Sequence, residues 1–136
     1  MKCITVAAAV ICNAENQLLL VRKRNTAFFM QVGGKLEPNE APEATLLREI
    51  AEEIGVQGQI QQFIGRFETP AANEADHLLI SYVYLVKIDQ APQIQAEIAE
   101  MRWIDLGIEE QTWLAPLTTE VVLPWCRAHV AKAVVV

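Results

Sequence analysis

The chain is short of positive charge, of cysteine, and of any apolar run long enough to cross a bilayer. Its 136 residues carry 11 Lys and Arg against 17 Asp and Glu, a net charge of −6. Proteins that bind a nucleic-acid backbone are normally basic, so that class is disfavoured. A small anionic substrate is not excluded, because bound cations can supply local positive charge. Cys3, Cys12 and Cys126 are odd in number, widely spaced and in apolar company. They read as buried thiols in a reducing compartment, not as a disulfide framework. No segment approaches the ~20 apolar residues needed to span a membrane. The apolar run from Ile4 to Ile11 is too short for a signal peptide, and no clean small-x-small site follows it. Repeats, linkers and low-complexity tracts are missing too. A cytoplasmic protein with no membrane and no nucleic-acid partner is expected.

What is present is apolar material, 52% of the chain, enough for one domain over residues 1–136 with a real core. The stretch that organises the rest runs from Gly34 to Val56, GKLEPNEAPEATLLREIAEEIGV. Its front half is loop, marked by Gly33-Gly34 and by Glu37-Pro38-Asn39-Glu40. Its back half is helical: Pro42 suits a first turn, Glu43 complements the helix N-terminus, and Gly55 stands where a helix stops. At about 100° per residue, Leu46, Leu47, Ile50 and Ile54 share one side. Glu49, Glu52 and Glu53 occupy a separate arc, with Glu53 at the border of the apolar face. Carboxylates so close repel one another by tenths of a kcal/mol per pair. A hard divalent cation turns that repulsion into oxygen ligation. Arg48, four residues before Glu52, can pair with it.

Acidic helix faces are common, but the full spacing is not. The stretch matches at every specified position the pattern G-x5-E-x7-R-E-U-x-E-E-x-G-U, where U is aliphatic. At ordinary residue frequencies a chance match has a probability below about 10⁻⁷. The sequence therefore resembles the Nudix hydrolase family. The resemblance implies a Nudix-type α/β/α sandwich with a mixed β-sheet between helices. It implies hydrolysis of a phosphoanhydride bond in a nucleoside diphosphate linked to another group, releasing a nucleoside monophosphate. Mg²⁺ is the implied cofactor, with Mn²⁺ able to substitute.

Carried over residue by residue, the resemblance makes Glu49 and Glu53 principal metal ligands and Glu52 a third. A backbone carbonyl at Gly33 or Gly34 completes the shell, and Glu40 stands behind it or ligates an additional ion. Arg48 orients the carboxylates. Arg22, Lys35 and Phe29 fall on the substrate side, Arg22 because guanidinium binds phosphate bidentately. Glu52 and Glu97 are the two candidates for general base, Glu100 being the less favoured loop alternative to Glu97. Two positions depart from the family's habit. Val32 replaces the usual proline before the glycine pair, and Asn39 replaces a common glycine, although Asn tolerates positive φ.

Around this stretch the chain reads as strands. Lys2 to Ile11 reads as a strand buried on both faces, and Leu18 to Arg24 as its hairpin partner. Gln59 to Glu68 is a strand with Gly65 as a bulge, and Thr69 to Asp76 a polar loop. His77 to Ile88 is a central strand with His77 solvated at its mouth, and Met101 to Leu106 a last strand carrying Trp103 into the core. Leu117 to Ala133 reads as a closing helix, kinked or divided at Pro124. Strands around an apolar-faced helix, then a closing helix, give an α/β (α+β) class with a mixed sheet.

Substrate identity is less constrained. The coenzyme A pattern is not evident, Pro70 is near but not at the proline position of ADP-ribose enzymes, and no tyrosine follows Asn73 as in dinucleotide enzymes. A nucleoside triphosphate pyrophosphatase is preferred, with ADP-ribose or nucleotide-sugar pyrophosphatase as alternatives. A non-catalytic nucleotide sensor is the other class, set behind because the motif is intact and no attached DNA-binding segment is seen. The long β runs are compatible with a homodimer.

Overall fold

Two short runs of alternating apolar residues, one in each of the first two strands, hold the two faces of the molecule together. The computed structural model describes residues 2–95, 97–109 and 111–130. Its elements are β1 (Lys2–Val10), β2 (Gln17–Lys23), β3 (Val32–Lys35), α1 (Pro42–Ile54), β4 (Gly58–Pro70), β5 (His77–Ile88) and β6 (Ile98–Asp105). A π-helical turn, Thr118–Val122, then leads into α2 (Leu123–His129).

The main sheet has the order β3-β1-β5-β4, with β1 and β5 parallel and the outer pairs antiparallel. A second sheet pairs β2 with β6 antiparallel. Because successive strand residues point to opposite faces, Ala7 and Ala9 meet α1 through Leu46, Ile50 and Ile54. Ala8 and Val10 face the other way, toward Val122, Leu123 and Cys126. Leu19 and Val21 of β2 join the first core, Leu18 and Leu20 the second. The mixed sheet between helices is the architecture expected from the sequence.

Several local readings hold. Gly55 stops α1 in a left-handed conformation (φ 67°), its N–H reaching the Ala51 carbonyl. Asn39 takes φ 63°, and the turn closes with Glu40 N–H on the Glu37 carbonyl at 3.0 Å. The β4–β5 register shifts between Phe63 and Gly65, a bulge at the expected place. Pro124 stands second in α2 and divides the closing helical segment: just before it, Leu123 N–H reaches back five residues to the Thr118 carbonyl. A proline brings no N–H to close an α-turn there, and a widened turn absorbs the gap. Residues 131–133 of the expected helix lie outside the described residues.

Other readings need correction. The β1–β2 hairpin amounts to one bridge, Cys12 with Leu18. A strand has two edges, and those of β1 are taken by β3 and β5, so β2 finds its partner in β6. β4 runs through Thr69 and Pro70, and β6 starts at Ile98. Leu47 is 39% exposed and outside the core. Cys3 is exposed, whereas Cys12 and Cys126, 114 positions apart, come within 4.0 Å Sγ to Sγ.

Candidate active site

The polar arc of α1 is held against the Gly33-Gly34 segment of β3, and two contacts define how closely. Gly33 N–H donates to Glu53 Oε1 at 3.1 Å. A Cβ on Gly34 would stand 2.5 Å from Glu49 Cδ, so only glycine leaves room for that carboxylate. Gly33 has its own constraint, since a Cβ there would lie 2.0 Å from the Ala7 carbonyl oxygen of the neighbouring strand. The glycine pair thus brings β3 onto both β1 and α1.

Glu53 is 5% exposed. Burial pushes its carboxyl up to about 7, against the opposing pull of Lys23 and the Gly33 N–H. Lys23 Nζ is 3.8 Å away and is its one ion-pair partner among the described residues. Burial, and next the neighbouring Glu52 charge, also push Glu49 up, although Arg48 Nη1 donates to it at 3.0 Å. Glu52 stands farther out, with its side chain 53% exposed and 3.5 Å from Arg48.

The three carboxylates therefore do not converge as the spacing alone suggested. Among the described residues, no three Asp, Glu, His or Cys side chains stand close enough to share one ion. Mutual repulsion and separate partners spread them. Still, the donor set fits a hard divalent cation: two carboxylates packed on a glycine pair, both raised by burial, with oxygen as the available donor type.

Other predicted residues take definite places. Arg48 is the hub of the arc. It forks onto Glu40 at 3.0 and 2.9 Å, donates to Glu49, and approaches Glu52 and Glu37. Glu40 also accepts from the Thr45 hydroxyl at 2.6 Å. These partners, Arg48 first, hold the Glu40 carboxyl down at about 2. With its lone pairs so occupied, Glu40 clamps the loop to α1, which suits the place behind the metal shell better than ligation of an additional ion. Glu97 is exposed, but its loop is tied to the end of α1 by Gln95 N–H on the Glu53 carbonyl (3.0 Å) and Gln93 N–H on the Ile54 carbonyl (2.9 Å). Its charge is near enough to raise Glu53 slightly.

On the substrate side, two assignments change. Arg22 is spent on Glu100, directly opposite it in the β2–β6 register, at 2.9 and 2.6 Å, and on the Thr26 carbonyl at 2.9 Å. That pairing also removes Glu100 from the choice of base. Phe29 is 3% exposed, edge-on to Trp113 at 5.4 Å and under the Arg102 guanidinium at 4.7 Å. It packs the core and offers no face to a ligand. Lys35 is free to reach a ligand, 68% exposed and only loosely paired with Glu74 at 3.6 Å.

Beside the glycine pair lies a mostly apolar cavity of about 230 Å³, its walls including Gly33, Gly34, Lys23, Lys35, Gln31 and Leu117. Lys23 and Gln31 were missed from the sequence. Strand parity could have found Lys23, since Leu19 and Val21 face α1 and Lys23 continues that face, one residue from the Arg22 that was chosen. Gln31 carried no comparable signal.

A family model described as NUDIX domain matches residues 1–126. An 8-oxo-dGTP diphosphatase from Proteus vulgaris is 44% identical over 55 residues, 38% of this chain and 49% of that protein. An ADP-ribose pyrophosphatase from Methanocaldococcus jannaschii is 30% identical over 86 residues, 61% of this chain and 50% of that one. The chain thus spans about half the length of these two relatives. The solved MutT protein from Methanosarcina mazei Go1 has the same fold, with a TM-score of 0.75 at 21% identity over 96% of this chain and 97% of that one. With the model covering nearly its whole length and the complete motif folded into the glycine–carboxylate junction, this chain belongs to the Nudix family.

Proposed function

We propose that this chain hydrolyses a phosphoanhydride bond of a nucleoside diphosphate linked to another group, a nucleoside triphosphate foremost, and releases a nucleoside monophosphate. The observation that carries the reading is the Glu53 carboxylate, buried on the N–H of Gly33, a glycine whose own position is in the wall of the neighbouring cavity. The 8-oxo-dGTP diphosphatase among the relatives supports the triphosphate preference.

Glu49 and Glu53, with Glu52 and a backbone carbonyl of Gly33 or Gly34, would hold Mg²⁺. When bound, that ion neutralises the diphosphate oxygens and lowers the pKa of a coordinated water. The protein's own residues do the rest. Arg48 fixes the rotamer of Glu49, and the Gly33 N–H fixes that of Glu53. Lys23 and Lys35 border the cavity on the phosphate side and supply the positive charge that an acidic chain otherwise lacks. Glu97, exposed and in the loop tied to the end of α1, would take a proton from the attacking water, with Glu52 as the other candidate base.

The test is hydrolysis of a panel of standard and oxidised nucleoside triphosphates, ADP-ribose and nucleotide sugars with and without Mg²⁺, products separated by chromatography. One preferred compound cut to a monophosphate only with Mg²⁺ is expected. Mg²⁺-dependent binding without any monophosphate would replace the enzyme with a sensor.

A further inference from the structure

One wall residue of the cavity beside the glycine pair keeps a polar group that the fold itself does not use. Gln31, just ahead of β3, is 5% exposed and lines the cavity. Its Oε1 accepts a hydrogen bond from the Thr118 hydroxyl at 3.0 Å. Its Nε2 is buried and has no partner among the described residues. The other two such atoms, Thr69 Oγ1 and Ser81 Oγ, belong to β4 and β5, and neither residue lines the cavity. Thr118 is itself fully buried, in the π-helical turn. Widened turns of this kind recur at functional sites.

A buried amide nitrogen without a partner is selective. It is satisfied by a hydrogen-bond acceptor and penalises a ligand that brings a donor instead. Here the Thr118 hydroxyl donates to the carboxamide oxygen, which leaves the Nε2 N–H groups for the ligand.

Taking the chain as a nucleotide hydrolase, we propose that Gln31 determines base specificity. Its Nε2 donates to the ring carbonyl of a keto base, O6 of guanine or O4 of uracil and thymine, where adenine and cytosine carry an amino group. Thr118 is the positioning residue. The apolar walls, among them Ile4, Met30, Leu79 and Leu117, accept the planar ring by contact. Lys23 and Lys35 lie on the same cavity and leave base reading to the amide.

The test uses the product monophosphates, so that binding is read independently of turnover. GMP, UMP, AMP and CMP are titrated by calorimetry into the wild type, Gln31→Leu, Gln31→Glu and Thr118→Val, each first checked for a folded far-ultraviolet spectrum. Gln31→Met replaces the leucine variant if that one does not fold. The wild type is expected to favour GMP and UMP over AMP and CMP roughly tenfold, the size of one net hydrogen bond. Gln31→Leu abolishes the preference by weakening the keto pair alone. Gln31→Glu, which can only accept, reverses it. Thr118→Val reduces it, and Thr118→Ser restores it. In turnover the loss falls on KM for keto substrates. No keto preference in the wild type, no binding at all, or equal weakening of all four nucleotides in Gln31→Leu would overturn the proposal. Keto-selective binding without hydrolysis of any triphosphate would overturn the hydrolase reading and leave Gln31 in place.

Discussion

At Glu53 folding and function pull in opposite directions. The carboxyl sits in the helix–sheet interface, where burial raises it from 4.5 to about 7. A group raised in this way favours folding fully below its unfolded value and loses that contribution as pH rises through about 7. The interval corresponds to about 3 kcal/mol. The metal-free protein should thus lose up to about 3 kcal/mol between pH 5 and pH 8 through this one residue. Glu53→Gln should flatten that dependence, and denaturant melts at the two pH values would show it. The same substitution should abolish turnover. An opposite signature is expected of Gly34→Ala. Its methyl would meet Glu49 Cδ at 2.5 Å, so the carboxylate must swing away. Turnover should fall roughly a hundredfold while the chain remains folded, read from kcat alongside a thermal melt.

At the scale of elements, α1 depends on a clamp made by its own entry loop. Its N-cap position is Ala41, which caps nothing with its side chain. Glu40 instead joins Thr45 and Arg48, one and two turns into the helix. Because the Glu40 carboxyl is held down at about 2, the clamp is complete above 4.5 and is lost only as pH falls toward 2. Glu40→Gln should lower the melting temperature at pH 7 and shrink the difference at pH 2.5. Glu97→Gln should leave the melt alone and lower kcat, since its loop is tied down by backbone bonds that the side chain does not share.

Much of this level was legible from the chain. Pro42, Gly55 and the apolar spacing marked both ends of α1, because caps and periodicity are local properties. The turn at Asn39 and the bulge at Gly65 were readable for the same reason. Strand pairing was not. Alternation says which residues share a face but not which edge is free, so β2 was paired with β1 and Arg22 was freed from Glu100 on paper. The pairing decides what Arg22 meets, which is Glu100. Lys23 reaches the buried carboxylate by parity, on the face that Leu19 and Val21 share.

Over the whole molecule, two cores share one sheet, and Glu49 and Glu53 are set by how α1 rests on it. Ile50 is fully buried against Gly58 and Val86, where a Cβ on Gly58 would already stand 2.8 Å from Ile50 Cδ1. Ile50→Ala should cost about 3 kcal/mol or more, and Leu47→Ala, on the exposed side of the same helix, less than about 1 kcal/mol. The motif announced the family because every one of its specified positions is present within one contiguous stretch. The cavity walls had no such announcement. Gln31 and Leu117 come from segments far apart in the chain, and the hydrogen bond from the Thr118 hydroxyl to Gln31 ties those segments together.

On the function proposed above, cation-dependent nucleotide hydrolysis rests on the glycine–carboxylate junction at Gly33, Glu49 and Glu53. The most direct measurement is monophosphate release from a nucleoside triphosphate as Mg²⁺ is titrated, for wild type and Glu53→Gln side by side. The account predicts a saturable Mg²⁺ response in the wild type and at least a hundredfold loss of turnover in the variant at every Mg²⁺ concentration. Equal turnover by the two proteins, or turnover that ignores Mg²⁺, would contradict it.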